Sequence, residues 1–275
     1  MILVTGATGQ VGREVVAQLV AAGEPVRAMT RHPERANLPA QAQVVQGDLD
    51  QPSTLPAALA GVSKVYLFLG QDLGKGLLDA ARAAGVKHVV LLSSLTTQGA
   101  HNAIAQRHLL GEEAVRASGL PWTFLQPGGF ASNNLQWAPS IRAEGVVRAP
   151  FVQARSALID PKDIAAVAVA ALRSPGHEGK NYPMTGSEAL SVVEQVRTLS
   201  EVLGRDIRLE ELTEEAARQA SLQRHVPVPI IDALLSLGKN SLGRPPVILD
   251  TVQKITGRPA RTFRQWASDH ADAFR

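Results

Sequence analysis

Cysteine is absent from this 275-residue chain. Disulfides, thiolate catalysis and cysteine-ligated metals are thereby excluded. Aromatic residues are scarce, at 4%, although hydrophobic residues reach 45%. Ala, Val and Leu must fill most of the core, as happens where small-residue helices pack on a sheet. Charge of one sign is also missing: 28 basic residues stand against 25 acidic ones, a net of +3. No basic run and no alternation of basic with aromatic residues is present, so nucleic acid is not an expected partner. No apolar stretch approaches the roughly 18 residues of a membrane span, and the start has no basic-then-apolar leader pattern. The expectation is a cytoplasmic protein without membrane contact. His101, His225 and His270 stand far apart with no i+4 partner, which leaves no expected metal site.

What is present is concentrated at the start. Residues 1–12 read MILVTGATGQVG. Ile2, Leu3 and Val4 suit a buried parallel strand, and residues 13–22 suit a helix. Between them Gly6, Gly9 and Gly12 are spaced GxxGxxG. A glycine turn at that junction brings backbone N–H groups and the positive helix end close to an anion, which is how a dinucleotide pyrophosphate is held. A side chain at Gly6 or Gly9 would block the phosphates, and its absence at Gly12 lets helix and strand pack closely. The triplet alone is common. Its place directly after a strand and at the opening of a helix gives it weight.

The first 130 residues alternate strand and helix. Strands are expected at 2–5, 25–30, 43–47, 64–69, 88–93 and 122–126, with helices at 10–22, 74–84 and 102–118. Gly23, Gly61, Gly85 and Gly119 each follow a helix, where a left-handed residue is wanted. Such alternation implies βαβ units and an α/β fold: a Rossmann-type, doubly wound parallel sheet with ligands at the carboxyl ends of its strands. Beyond residue 130 the rhythm changes. Residues 133–151 look irregular, and 155–159 and 182–185 read as short strands. Asp160 with Pro161 opens a helix to about Arg173. Ser191 with Glu194 is a capping box for a helix ending at Gly204, and Thr262 with Gln265 starts a last one. Residues 205–275 read as mostly helical, broken by Pro227, Pro229, Gly243, Pro245 and Pro246. The expected organisation is a nucleotide-binding core over 1–132, with 154–186 returning to it. A small, mostly helical substrate lobe takes 133–153 and 187–275.

An NAD site usually carries an acid about 20 residues past the glycines, for the ribose 2′-hydroxyl. Here that position reads Thr30, Arg31, His32, Pro33. With no acid, and with Arg31 able to pair with a 2′-phosphate, NADP(H) is expected over NAD(H). Thr30 and Arg35 are further donors. Asp48 either receives the adenine amino group or caps a helix. The cofactor-binding set then reads Gly6, Thr8, Gly9, Gln10, Val11, Gly12, Arg31, Asp48, Leu49, Leu69, Gly70, Ser93, Ser94, Pro127, Gly128 and Phe130.

Residues 5–12, with Arg31-His32-Pro33, Gly47-Asp48-Leu49 and Leu92-Ser93-Ser94, resemble the atypical short-chain dehydrogenases/reductases. Several segments are similar to their NmrA-like branch: His108 with Glu112, residues 118–123 (SGLPWT), Pro127-Gly128-Gly129-Phe130 and Asn133. So are Asp163-Ile164-Ala165, residues 182–186 (YPMTG) and residues 256–263 (TGRPARTF). The resemblance spans nearly the whole chain. It implies a Rossmann sheet with a small C-terminal lobe. The branch includes NADPH-dependent quinone and triphenylmethane-dye reductases, and redox-sensing regulators that bind NADP without known turnover.

Many short-chain reductases carry a YxxxK pair that protonates the carbonyl oxygen. In this chain Ile104 and His108 stand in those places. Loss of a positioned proton donor costs about 10²–10⁴ in rate, which disfavours ordinary ketone reduction. A quinone or a cationic triarylmethane needs no such donor; the protein must chiefly hold nicotinamide and acceptor about 3–3.5 Å apart. His108 is then the polar candidate beside the nicotinamide, with a charge state expected to change near neutral pH; the plainer reading is a surface histidine. Phe130 packs on the nicotinamide or acceptor ring, or else in the core. Asn133 and Asn134 bond the carboxamide or order their loop, and Gln126 stands where the branch often has Arg.

The leading reading is NADPH-dependent hydride transfer to a quinone or similar planar electrophile. His108 and Phe130 are its catalytic candidates, Phe130 and Asn133 its substrate candidates, and a small-molecule hydride acceptor its partner. The alternative is an NADP-sensing regulatory protein with little or no turnover. An isomerase or reductase of a biosynthetic intermediate rests on fold analogy alone. A homodimer or a regulatory protein partner stays open.

Overall fold

The computed structural model describes residues 1–275. Strand and helix alternate through residue 127: β1 (Ile2–Val4), α1 (Gln10–Ala21), β2 (Val26–Thr30), β3 (Gln43–Gln46), α2 (Leu55–Leu59), β4 (Lys64–Leu67), α3 (Lys75–Ala83), β5 (His88–Leu92), α4 (Ala103–Ala117) and β6 (Trp122–Pro127). The central strands are apolar runs buried on both faces, as parallel strands covered by helices require. In β5, Val89, Val90 and Leu91 are fully enclosed. Gly23, Gly85 and Gly119 follow α1, α3 and α4 with φ of +75°, +76° and +73°. That left-handed turn suits glycine best, and each helix stops there.

The chain continues through α5 (Ala138–Glu144), β7 (Val146–Ala149), β8 (Arg155–Ser156), α6 (Pro161–Arg173), β9 (Lys180–Met184), β10 (Leu190–Ser191), α7 (Val192–Leu203) and β11 (Arg208–Glu211). It ends in α8 (Glu214–Gln223), α9 (Val228–Asn240), α10 (Thr251–Thr256), α11 (Phe263–Asp269) and α12 (Ala271–Phe274). The Ser191–Glu194 and Thr262–Gln265 capping boxes both form, and α7 stops at Gly204 with φ +64°. Three expectations fail locally. Residues 133–151 are not irregular: a 3₁₀ turn over Ala131–Trp137 runs into α5, and β7 pairs in parallel with β11, Val146 opposite Arg208. The helical stretch does break at Pro227, the cap of α9; Pro229 falls inside the first turn of that helix instead of ending one, where a proline lacks only an N–H that would have no partner. The strand at 155–159 shrinks to two residues paired antiparallel with β10, and Ile159 bridges instead to Phe130.

The main sheet has seven strands in the order β3-β2-β1-β4-β5-β6-β9, every pair parallel. Helices α1 and α6 cover one face through Val11, Val15, Leu19, Ile164 and Ala168. Helices α2, α3 and α4 cover the other through Leu55, Leu59, Leu77, Leu78 and Val115. Each of these two cores encloses one fully buried aromatic, Tyr66 and Phe124. A third core, formed by C-terminal elements, gathers Trp137, Phe263, Trp266 and Phe274. Large aromatics bury about 150–250 Å² each, so few are needed to hold so small a unit. No helix is long and apolar enough to cross a membrane. Strand order reverses between β1 and β4. The connections on either side of that point diverge and leave a crevice at the carboxyl ends of the strands.

Candidate functional site

A cleft of about 570 Å³ opens at that crevice. One wall is the turn joining β1 to α1: Gly6, Thr8, Gly9, Gln10, Val11 and Gly12. Gly6 has φ +58°, and a Cβ there would lie 3.0 Å from the Cβ of Phe68. A Cβ on Gly12 would fall on the carbonyl oxygen of Gly6. Strand and helix therefore approach as closely as the glycine spacing implies. Gly9 caps α1 without any side-chain bond, and the first turn of the helix holds no acid. Its first N–H groups are thus left for an outside acceptor, in the field of the helix dipole. A diphosphate fits this cradle of uncapped N–H groups and missing side chains.

Thr30 and Arg31 at the end of β2, with residues 47–50 after β3, form the next wall. Arg31 is exposed and makes no ion pair, whereas Arg35 lies outside the cleft, 3.7 Å from Glu34. Asp48 closes its own turn. Its Oδ1 accepts from the N–H of Asp50 at 3.1 Å, and its Oδ2 accepts from Nε2 of Gln51 at 3.3 Å. The helix-cap alternative for Asp48 gives way to this local turn, because Thr54 occupies the cap position of α2. Leu49 stays in the lining.

The wall across from the glycine turn holds Phe68, Leu69, Gly70, Gln71 and Arg107. Nη2 of Arg107 donates to the carbonyls of Leu69 at 3.2 Å and Gly70 at 2.7 Å. The Leu69 side chain fills a notch in α4 left by Gly111. Together these contacts pin the segment after β4 to α4. Sequence reasoning missed Phe68, Gln71 and Arg107, along with Met29, Asp50 and Tyr66, which also line the cleft. The topological rule that ligands sit where strand order reverses would have pointed to the end of β4, hence to Phe68.

Leu92 and Phe130 line the remaining end. Ser93, Ser94, Pro127 and Gly128 lie outside the lining. Ser93 Oγ instead donates to Glu112 Oε1 at 2.6 Å. Glu112 is 2% exposed and also accepts from Gln126 Nε2 at 2.8 Å and Arg116 Nη2 at 3.2 Å. One buried carboxylate on α4 therefore ties down the ends of β5 and β6. Ser94 Oγ accepts from the N–H of Thr96 at 3.2 Å, and the N–H of Gly128 donates to Met184 at 2.9 Å.

His108 is also outside the lining, and its expected charge behaviour is corrected. Burial, with the Arg107 guanidinium beside it, pushes its pKa down to about 4. It is neutral throughout the physiological range rather than poised near pH 7. Asn133 is exposed and does not reach the cleft lining. Asn134 is buried and orders its loop, donating from Nδ2 to Gln195 at 2.8 Å. Ser132 Oγ bonds Oε1 of Gln10 at 2.7 Å, which fastens this turn to the start of α1.

Comparison with known proteins agrees with this geometry. Residues 6–175 match a family described as NAD(P)H-binding. The chain is 47% identical over 281 residues to the (4-alkanoyl-5-oxo-2,5-dihydrofuran-3-yl)methyl phosphate reductase of Streptomyces griseus, covering 100% of this chain and 99% of the relative. It is 43% identical over 286 residues to the NAD(P)H azoreductase of Xenophilus azovorans, again covering 100% and 99%. Among solved structures, the NADPH-dependent quinone oxidoreductase of Escherichia coli in complex with NADPH is similar with a TM-score of 0.82. It is 28% identical, covering 98% of this chain and 99% of that one.

Proposed function

We infer that this chain, which belongs to the NAD(P)H-binding family, is an NADPH-dependent oxidoreductase that passes hydride to a planar, electron-poor acceptor. The observation that carries the reading is the uncapped start of α1 at Gly9, opening on a cleft that also holds the unpaired Arg31. The acceptors named for similar proteins are an unsaturated furanone phosphate, an azo compound and a quinone. Each is a conjugated π system able to accept a hydride equivalent. The acceptor class proposed here is the same, with a furanone phosphate favoured by the 47% identity.

NADPH supplies the hydride from its nicotinamide when bound. The residues of this chain bind and orient. The turn from Gly6 to Gly12 holds the diphosphate, Arg31 meets the 2′-phosphate, and Asp48, Leu49 and Gly70 enclose the adenine. Leu92 and Phe130 form an apolar wall that excludes water from the reacting end. Ile104 has no hydroxyl to offer, and neutral His108 is a poor acid. Neither of these two side chains therefore supplies the proton taken up by the reduced acceptor.

Titration with NADPH followed by stopped-flow recording of its absorbance, with a panel of quinones, azo dyes and furanone phosphates, tests the reading. Saturable cofactor oxidation with at least one class is expected. Tight binding without oxidation across the panel would replace it with an NADP-sensing role.

A further inference from the structure

Four buried side-chain atoms have no hydrogen-bond partner: the Tyr66 hydroxyl, Nδ1 of His88, Nδ1 of His108 and Nε1 of Trp266. Such groups are rare, because an unmatched buried donor destabilises the fold, and each calls for an explanation. Trp266 lies in the aromatic core of α7, α11 and α12. His88 stands at the amino end of β5, where its other nitrogen lies 2.9 Å from Thr123 Oγ1. His108 sits on α4, outside the cleft lining. Only Tyr66 is a residue of the cleft lining.

Tyr66 lies on β4 at the reversal of strand order, in register with Val4 of β1 and Val90 of β5. It is 1% exposed. It belongs to the same core under α1 as Val11 and Leu92, against which Phe130 packs, and all three of these residues also line the cleft. The ring therefore belongs to the floor at the Leu92–Phe130 end. That floor is apolar, so the missing partner is a neutral group and not an anion. Burial raises the hydroxyl's pKa well above its ordinary value. The group stays protonated, and a donor, at every physiological pH.

We propose that the Tyr66 hydroxyl is the polar anchor of this floor, donating a hydrogen bond to a carbonyl oxygen of bound ligand. The inference rests on the hydride-transfer reading above. Two carbonyls fit: the carboxamide of the nicotinamide, or a conjugated carbonyl of the acceptor. The apolar surroundings orient the flat ring, and the one hydroxyl decides which edge faces inward.

Y66F is the test, because it keeps the ring and removes only the hydroxyl. If the partner is the carboxamide, NADPH binds Y66F about five- to tenfold more weakly. The nicotinamide-free fragment 2′-phospho-ADP-ribose then binds as before. If the partner is the acceptor, cofactor affinity is unchanged and KM for a quinone or furanone rises by a similar factor. In both cases the unliganded variant melts no lower than wild type, since it loses an unmatched group. Unchanged NADPH affinity together with unchanged KM overturns the proposal. So does a parallel loss for 2′-phospho-ADP-ribose with a lowered melting temperature, which would make Tyr66 a packing residue. Failure of the wild-type protein to bind NADPH would instead defeat the broader reading before any variant is made. A second measurement needs no change at Tyr66. The chain has only two tyrosines, so ring-carbon NMR of Y182F reports Tyr66 alone. A shift with NADPH or acceptor, and none with 2′-phospho-ADP-ribose, is expected.

Discussion

The turn between β1 and α1 and the clamp that fastens the C-terminal segment are built on opposite principles. The turn is almost all backbone: three glycines, no side-chain cap and no acid. The clamp is almost all charge. Asp160 and Asp163, at the start of α6, are 2% and 0% exposed. Asp163 accepts from Arg258 Nη1 at 2.8 Å and from the N–H of Arg261 at 2.6 Å. Arg261 also reaches Asp160 and Asp269, each at 2.6 Å, and Lys162 joins Asp269 at 2.6 Å. Where a ligand must approach, side chains are deleted and donors left unmatched. Where the chain must be fastened to itself, donors and acceptors are paired. The clamp has its own cost. Burial pushes the Asp163 pKa up, although the backbone N–H of Arg261 and the charge of Arg258 pull it down. Its pairs offset desolvation more than they add a surplus.

The sharpest way to break the comparison is G12A. The new methyl meets the Gly6 carbonyl, so the turn must open. Losing a charge-assisted hydrogen bond from the turn to the diphosphate costs about 1.5–3 kcal/mol, up to roughly a hundredfold in affinity. NADPH affinity by calorimetry is expected to fall by that much, and retained affinity would mean the close approach is dispensable.

D163A attacks the other region. Removing one partner of a buried ion pair typically costs about 3–5 kcal/mol. The lower end is expected, because Arg258 is 45% exposed and can rehydrate. Chemical denaturation should show this loss while the folded protein binds NADPH normally. A matching loss of cofactor affinity would show that clamp and cradle are coupled.

R31Q probes charge inside the backbone-built site. A charge-assisted bond contributes about 1.5–3 kcal/mol, and Arg31 is exposed, so roughly a tenfold weaker NADPH affinity is expected with NADH unaffected. Equal losses for the two cofactors would remove Arg31 from 2′-phosphate recognition.

A further contrast lies in pH. The folded pKa of His108, about 4, lies below its ordinary value of 6.5. Below pH 6.5 the unfolded chain takes up a proton that the folded chain refuses until about pH 4. Stability present above pH 6.5 is therefore lost across that window. H108Q should flatten the fall in melting temperature between those values. His88, whose pKa burial also lowers, keeps part of the slope. An unchanged slope in H108Q would place the effect elsewhere.

Legibility followed the range of the interactions. The β1–α1 turn, the capping boxes at Ser191 and Thr262, and the acid-free end of β2 were all readable, because each depends on residues a few positions apart. Arg107 holding Leu69 and Gly70, and Asp163 meeting Arg258, were not. Their partners lie on elements brought together only by the folded chain. The pairing of β7 with β11 was missed for the same reason, since a four-residue strand carries little signal without its partner. The charge state expected for His108 was misjudged, because burial has no signature in a single residue type.

The strand–helix alternation, the glycine turn and the lack of an acid at the end of β2 are written in the chain's local order. These follow from steric and hydrogen-bonding rules acting within a few residues. Which side chains share the cleft, that Glu112 binds Ser93 and Gln126, and that Tyr66 is left without a partner were settled by the folded chain. Each of those outcomes is set by desolvation and contact between distant segments, which exist only once the sheet has brought them together.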